Sequence, residues 1–209
     1  PEYYGYEPPC PDAEDIAPCV CTYDSVSNVM DLDCSTVRNE EQLKLTFKTD
    51  FPFKNFNQFY LQNNYNIKVL EAGVFNGICF EIISINFNKL EVIELQALDS
   101  CYETATEMRL YGNKITSFPF DELSQFSKLR DFDIRHNSLS LIPADAFHGL
   151  TALEGLYINL NNADIVGKFQ DLPNLTTVIF TENFLVRGIH LDSNNITTIP
   201  GQFIKTGSS

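Results

Sequence analysis

RDFDIRHNSLSLIPADAFHGL, residues 130–150, packs Asp131, Asp133, Arg135 and His136 into six consecutive positions. A catalytic loop needs such a density of acids and bases, and a metal site could use it too. The same stretch spaces Phe132, Ile134, Asn137, Leu139, Ile142 and Phe147 at intervals that catalysis does not require. Whichever of the two sets recurs along the chain decides the fold.

The apolar set recurs. Asn64, Asn88, Asn113, Asn137, Asn161 and Asn183 are separated by 24, 25, 24, 24 and 22 residues. Each follows two apolar residues at fixed offsets: Phe59 and Leu61, Ile83 and Ile85, Met108 and Leu110, Phe132 and Ile134, Leu156 and Ile158, Val178 and Phe180. Another apolar residue usually stands two positions on, as Leu90, Ile115, Leu139 and Leu185 do. The pattern matches the leucine-rich repeat consensus L-x-x-L-x-L-x-x-N-x-L. It predicts an α/β solenoid, a horseshoe with a parallel concave sheet and an irregular convex side. Alternating residues form a short strand with one face inward. The asparagine then turns the chain and bonds backbone groups of neighbouring coils. Ile142-Pro143 and Phe118-Pro119 bend the return segments, with Phe75, Phe147 and Phe203 filling the space behind the sheet. A single coil cannot bury its apolar face, so neighbours supply the stability. The repeats are expected over 51–204, about six to seven of them. The last is irregular: Ile189, Leu191, Asn194 and Ile196 restart the consensus 11 residues after Asn183.

Composition removes several functional classes. The 209 residues carry a net charge of −14 and a pI near 4.5, opposite to the basic footprint that nucleic acid requires. An anionic membrane surface is disfavoured for the same reason, and no apolar run approaches a membrane span. Six cysteines, four of them early (Cys10, Cys19, Cys21 and Cys34), read as a disulfide framework of an oxidising compartment. Zinc is the competitor, but Cys19-Val-Cys21 is not a C-x-x-C knuckle. The chain starts at Pro1 with neither Met nor leader, as a mature secreted chain or a trimmed one would. A secreted, extracellular protein is expected. Cys79 and Cys101 precede the strands of consecutive repeats, at positions expected to lie about 5 Å apart. A Cys79–Cys101 bridge is the expectation, with two buried free thiols as the alternative.

Residues 1–9, PEYYGYEPP, read as a mobile tail and 205–209 as another. Residues 10–50 read as a cap: the Cys-Pro…Cys-Val-Cys…Cys series, with Val29, Leu32 and Cys34, resembles the cysteine-rich N-terminal cap of extracellular leucine-rich repeat proteins. That resemblance implies the pairs Cys10–Cys21 and Cys19–Cys34. No cysteines remain for the matching C-terminal cap, so the expectation is an exposed last coil, a covering partner or a truncated sequence. CPDAEDIAPCVC, MDLDC, FPFKNF and TSFPFDELSQFSKL together resemble a crustacean group of secreted leucine-rich repeat proteins, the family of the non-catalytic subunit of a shrimp luciferase. The resemblance implies an accessory, non-enzymatic protein and transfers no binding residues.

No nucleophile elbow, zinc-protease motif, phosphate loop or dinucleotide fingerprint occurs. The three histidines are His136, His148 and His190. An Asp133–His136 acid–base pair is conceivable, but a solvated strand carries such residues anyway, so no enzyme and no cofactor is expected. The concave sheet is the better surface. Side chains between the apolar positions fall into columns: Tyr60, Ser84, Arg109, Asp133, Tyr157, Ile179 and His190, then Gln62, Asn86, Tyr111, Arg135, Asn159, Thr181 and Asp192. Phe87, His136 and Leu160 border them. The candidate binding residues are Tyr60, Phe87, Arg109, Tyr111, Asp133, Arg135, His136, Tyr157 and His190, because exposed aromatics and arginines make hot spots. Packing against same-face neighbours is the simpler explanation for some of these rings. Asn174 and Asn195 lie in glycosylation sequons. The expected function is binding of a protein partner, or self-association, through the concave face or the C-terminal end. The alternative is an innate-immune module that binds glycans or microbial surfaces.

Overall fold

The computed structural model describes residues 9–143, 145–159 and 172–181. The tail before Pro9, Phe203, the ladder positions Asn161 and Asn183, the irregular coil with His190 and the sequon at Asn195 lie outside them. Within the described residues the chain is a leucine-rich repeat solenoid with a disulfide-bonded N-terminal cap.

The cap begins with a short helix α1 (Ala13–Ile16) and an antiparallel hairpin of β1 (Val20–Asp24) and β2 (Val29–Asp33). Helix α2 (Glu40–Thr46) follows, started by the Asn39 side chain accepting from the Gln42 N–H at 2.8 Å. Asparagine at this position meets a backbone donor that the first helical turn leaves unsatisfied. Cys10 bonds to Cys21 and Cys19 to Cys34, the pairs that the family resemblance implies. Strand β2 turns the cap into the solenoid, because it pairs in parallel with the first repeat strand, Asp31 beside Gln58 and Asp33 beside Tyr60.

The repeat strands are β3 (Asn55–Tyr60), β5 (Cys79–Ser84), β7 (Glu107–Arg109), β8 (Asp131–Asp133), β9 (Gly155–Asn159) and β10 (Thr177–Thr181). With the hairpin they form an eight-stranded sheet in sequence order. The register stacks Phe59, Ile83, Met108, Phe132, Leu156 and Val178 side by side. All six are buried. The return segments carry β4 (Val69–Leu70) and β6 (Val92–Ile93), which pair with each other, a 3-10 stretch (Leu95–Cys101) and α3 (Phe120–Leu123). These short, unlike pieces are the irregular convex side.

Two devices fix the coils to one another. Buried asparagine amides reach backward: Asn64 Nδ2 donates to Val37 O (2.7 Å), Asn88 to Leu61 O (2.7 Å), Asn113 to Ile85 O (2.7 Å) and Asn137 to Leu110 O (2.9 Å). The side-chain oxygens of Asn88, Asn113 and Asn137 accept from the preceding coil, Asn137 Oδ1 from Ile115 N at 3.0 Å among them, whereas Asn64 Oδ1 accepts from Asn66 N and Ile67 N of its own coil. A buried amide group satisfied at both ends specifies the turn, since any apolar replacement strands backbone polar groups. Phenylalanine is the second device. Phe47 of the cap meets Phe51, Phe59, Phe75 and Phe80, with centroids 4.9–6.4 Å apart, so one aromatic cluster joins cap and first repeats. A second cluster, Phe118, Phe120, Phe132 and Phe147, fills the later coils.

One expectation needs correction. Cys79 and Cys101 are buried free thiols, without the bridge. Their positions are not equivalent: the register sets Ile82 beside Glu107, so the level of Cys79 in the next coil falls at Thr104. Cys101 instead closes the 3-10 stretch, and its Sγ accepts from Phe80 N at 3.2 Å. The Cys79 thiol donates to Asn55 Oδ1 at 2.9 Å.

Candidate functional site: the concave face

Alternate positions of the repeat strands fall on the concave side, and parallel pairing aligns them across coils. Tyr60, Ser84, Arg109, Asp133 and Tyr157 are direct register partners in series. The continuing ladder, Leu61 N to Ser84 O, Ile85 N to Arg109 O, Leu110 N to Asp133 O and Ile134 N to Tyr157 O, carries the alignment past the strand ends. It brings Asn86, Tyr111 and Arg135 into the neighbouring column.

At the end of each strand the chain takes a left-handed residue immediately before the ladder asparagine: Asn63 (φ 53°), Phe87 (φ 56°), Gly112 (φ 71°) and His136 (φ 55°). Glycine, asparagine and histidine are the residues found there most readily, whereas Phe is strained by about 1–2 kcal/mol. Phe87 and His136 carry rings, and both rings meet Tyr111. Phe87 packs edge-on to Tyr111 at 5.0 Å and His136 lies tilted against it at 4.7 Å. Gly112 leaves room for this arrangement, since a Cβ there would sit 3.1 Å from Phe87 Cδ1. Phe87 remains 49 % exposed.

The Arg135 guanidinium lies 5.3 Å from the Tyr111 ring centre and 5.1 Å from that of Tyr157, within cation–π range of both. Asp133 holds it there, accepting from Nε at 3.0 Å and from a terminal nitrogen at 2.7 Å. That hydrogen bond raises the Arg135 pKa further. Phe87, Tyr111, His136, Arg135 and Tyr157 thus form one continuous platform crossing four coils. Arg109 pairs in the same way with Glu107 of its own strand. Neither arginine is a free cation, although their isolation in an acidic sequence suggests two.

The arrangement gives no sign of acid–base chemistry at Asp133 and His136. Asp133 spends its carboxylate on Arg135 while His136 turns its ring to Tyr111. Tyr60 stands half-buried farther along the face, its pKa raised by burial and by Asp31. Ser84, expected to project from the same column, is fully buried, and its Oγ accepts from Gln58 Nε2 at 2.9 Å. His190 lies outside the described residues.

Sequence reasoning missed the acidic edge of the face, where Glu107 and Asp131 are register partners. Burial raises the Asp131 pKa above the ordinary carboxylate value, and Glu107 and Glu154 add to the effect. Gly155 permits this placement, because a Cβ there would run into Asp131 Oδ1. The signal was present in the alternation: both acids occupy the outward position two residues before Arg109 and Asp133. Asn174, by contrast, is exposed away from the columns, with Nδ2 donating to Thr151 O at 2.8 Å.

Fold and face together define a leucine-rich repeat solenoid with a disulfide-bonded cap and an aromatic concave surface. The leucine-rich repeat family model matches residues 103–163 and 127–185. The chain is similar to the Oplophorus-luciferin 2-monooxygenase non-catalytic subunit of Oplophorus gracilirostris, 33 % identical over 94 % of this chain and 58 % of that protein. It is also similar to keratocan of Danio rerio, 29 % identical over 70 % of this chain and 45 % of the relative. The chain therefore spans about half the length of these relatives. Among solved structures, that of TLR13 in complex with ssRNA13 superposes with a TM-score of 0.56 at 20 % identity, covering 67 % of this chain and 20 % of that one. This last likeness concerns the fold. Among the described residues no helix is long and apolar enough to cross a membrane.

Proposed function

We propose that the chain is a secreted, non-enzymatic accessory protein that binds a protein partner through its concave face. The platform of Phe87, Tyr111, His136, Arg135 and Tyr157 supports this reading. Tyrosine and arginine held rigid by their neighbours lose little entropy on binding, and such residues dominate interface energetics. Strain at Phe87 points the same way, since a fold with Gly112 at the equivalent position has an unstrained solution available. The non-catalytic role of the Oplophorus relative supports an accessory protein over an enzyme, and the cap disulfides support an extracellular location.

The test begins with co-purification from the native source, followed by binding measurements with the isolated partner. A stoichiometric protein partner whose affinity falls at least tenfold with the Tyr111→Ala/Arg135→Ala pair is the expected result. A partner bound equally by wild type and variant moves the interface to the C-terminal end. Selective retention of glycans with no protein partner replaces the proposal by the glycan-binding alternative.

A further inference from the structure

The return segment of the first repeat ends in a turn that is tied to the cap. Phe75-Asn76-Gly77-Ile78 closes with Ile78 N donating to Phe75 O at 2.9 Å, and both central residues are left-handed, Asn76 at φ 47° and Gly77 at φ 81°. Positive φ at both positions marks the type I′ turn that Asn-Gly favours. Asn76 Nδ2 donates to Phe47 O at 3.0 Å. Phe47 caps the C-terminus of α2, where helical carbonyls lack an intrahelical donor. The repeat thus supplies a partner that the cap helix cannot. Beside it, the Phe75 ring packs edge-on to Phe47 with centroids 4.9 Å apart.

The same pair has the features of a reactive amide. Asn76 is the one asparagine of the chain that is followed by glycine. Glycine has no side chain to shield its nitrogen, and a Cβ at Gly77 would meet nothing within 4 Å. The Gly77 N–H donates to no group among the described residues, and Asn76 and Gly77 are both exposed. The ladder residues Asn64, Asn88, Asn113 and Asn137, by contrast, are buried.

We propose that Asn76 is a deamidation site whose conversion loosens the cap from the first repeat. Conversion begins when the bond to Phe47 O opens, a local event at an exposed turn. Gly77 N gives its proton to solvent and attacks Asn76 Cγ. A bond from Gly77 N to Cγ forms, the Cγ–Nδ2 bond breaks, and Nδ2 takes up a proton and leaves as ammonia. Water then opens the cyclic imide, at Cγ to give aspartate or at the Asn76 backbone carbonyl to give isoaspartate. One water enters and one ammonia leaves, and nothing is oxidised or reduced. Ionised aspartate has only acceptors to set against Phe47 O, and isoaspartate adds a backbone carbon to a turn of fixed length. Either product removes the link between α2 and the repeat.

The full chain is aged in warm, mildly alkaline buffer, then reduced, alkylated, digested with trypsin and mapped by mass spectrometry. Cleavage after Lys68 and Lys89 yields peptide 69–89, which carries Asn76 with Asn86 and Asn88 as internal controls. A gain of one dalton, placed on Asn76 by fragmentation, is expected. An unchanged peptide, or a gain on Asn86 or Asn88 instead, overturns the site. Fresh Asn76→Asp tests the consequence apart from the conversion. Its α2 amides should exchange severalfold faster than those of wild type and its denaturation midpoint should fall, while β8 and β9 keep their protection. Unchanged exchange in α2 overturns the link to the cap even where Asn76 converts.

Discussion

The cap and the repeats solve the same problem by different means. Both must hold short strands in one sheet with too little local chain to form a core of their own. The repeats do it by recurrence: the same asparagine amide, the same strand register and the same buried apolar column appear in each coil. The cap has a neighbour on one side only and cannot use recurrence. It replaces the missing coil with two covalent cross-links, an antiparallel hairpin and a helix. Where the two regimes meet, neither device operates fully, and the Phe47 cluster occupies that junction. The middle of a solenoid is held by repetition, and its end must be held by chemistry specific to it.

Five variants probe this contrast, beginning with the most damaging. Phe47→Ala removes a fully buried ring that packs on both cap and repeats, and should cost about 3–5 kcal/mol. Chemical denaturation should then separate into two transitions; a single one would mean that cap and repeats remain coupled through the backbone alone. Replacing Cys19 and Cys34 together by Ala should cost about 2–4 kcal/mol by the loss of one cross-link. Hydrogen exchange should show that loss within the cap while β8 and β9 stay protected. Asn113→Ala strands Ile85 O and the Leu90 N–H, and a drop of about 1–3 kcal/mol is expected in denaturant titrations. Its exchange pattern should mirror the cap variant, with protection lost in the adjacent coils and kept in the hairpin. Gly112→Ala places a side chain in left-handed backbone against Phe87 and should lower stability by about 1–2 kcal/mol. An unchanged melting temperature would remove the steric account of the platform.

Asp131→Asn carries the smallest effect and the opposite sign. Because the folded protein raises this carboxyl, the folded state disfavours its ionised form. The favourable contribution is complete below the unfolded pKa and disappears as pH rises through the folded one. Wild type should therefore lose this contribution on going from acid to neutral pH. The variant should not, and should be the more stable near neutrality by about 0.5 kcal/mol or less. Parallel pH–stability curves for the two proteins would refute the acidic-edge argument.

Much of this was legible along the chain. The spacing of asparagines and apolar residues specified coil length, strand position, inward face and the columns of the outer face, because parallel pairing at a constant repeat maps sequence offset onto spatial adjacency. Tyr60, Arg109, Asp133 and Tyr157 accordingly sit in one row. Other features do not follow from offset. Ser84 is buried although its column is solvated, and Cys79 and Cys101 fall out of step because the 3-10 stretch consumes residues at a different rise from a strand.

The sequence by itself thus determined the solenoid, its handling of the inner face and which residues share the outer one. RDFDIRHNSLSLIPADAFHGL belongs to that account, its charges alternating because a strand alternates. Tertiary structure alone decided what those charges do. Asp133 grips Arg135, His136 enters a left-handed turn and lies against Tyr111 from the coil before, and Gly155 of the next coil leaves space for Asp131. The first depends on rotamers, and the other two join residues more than 20 positions apart, neither of which pattern along the chain can encode.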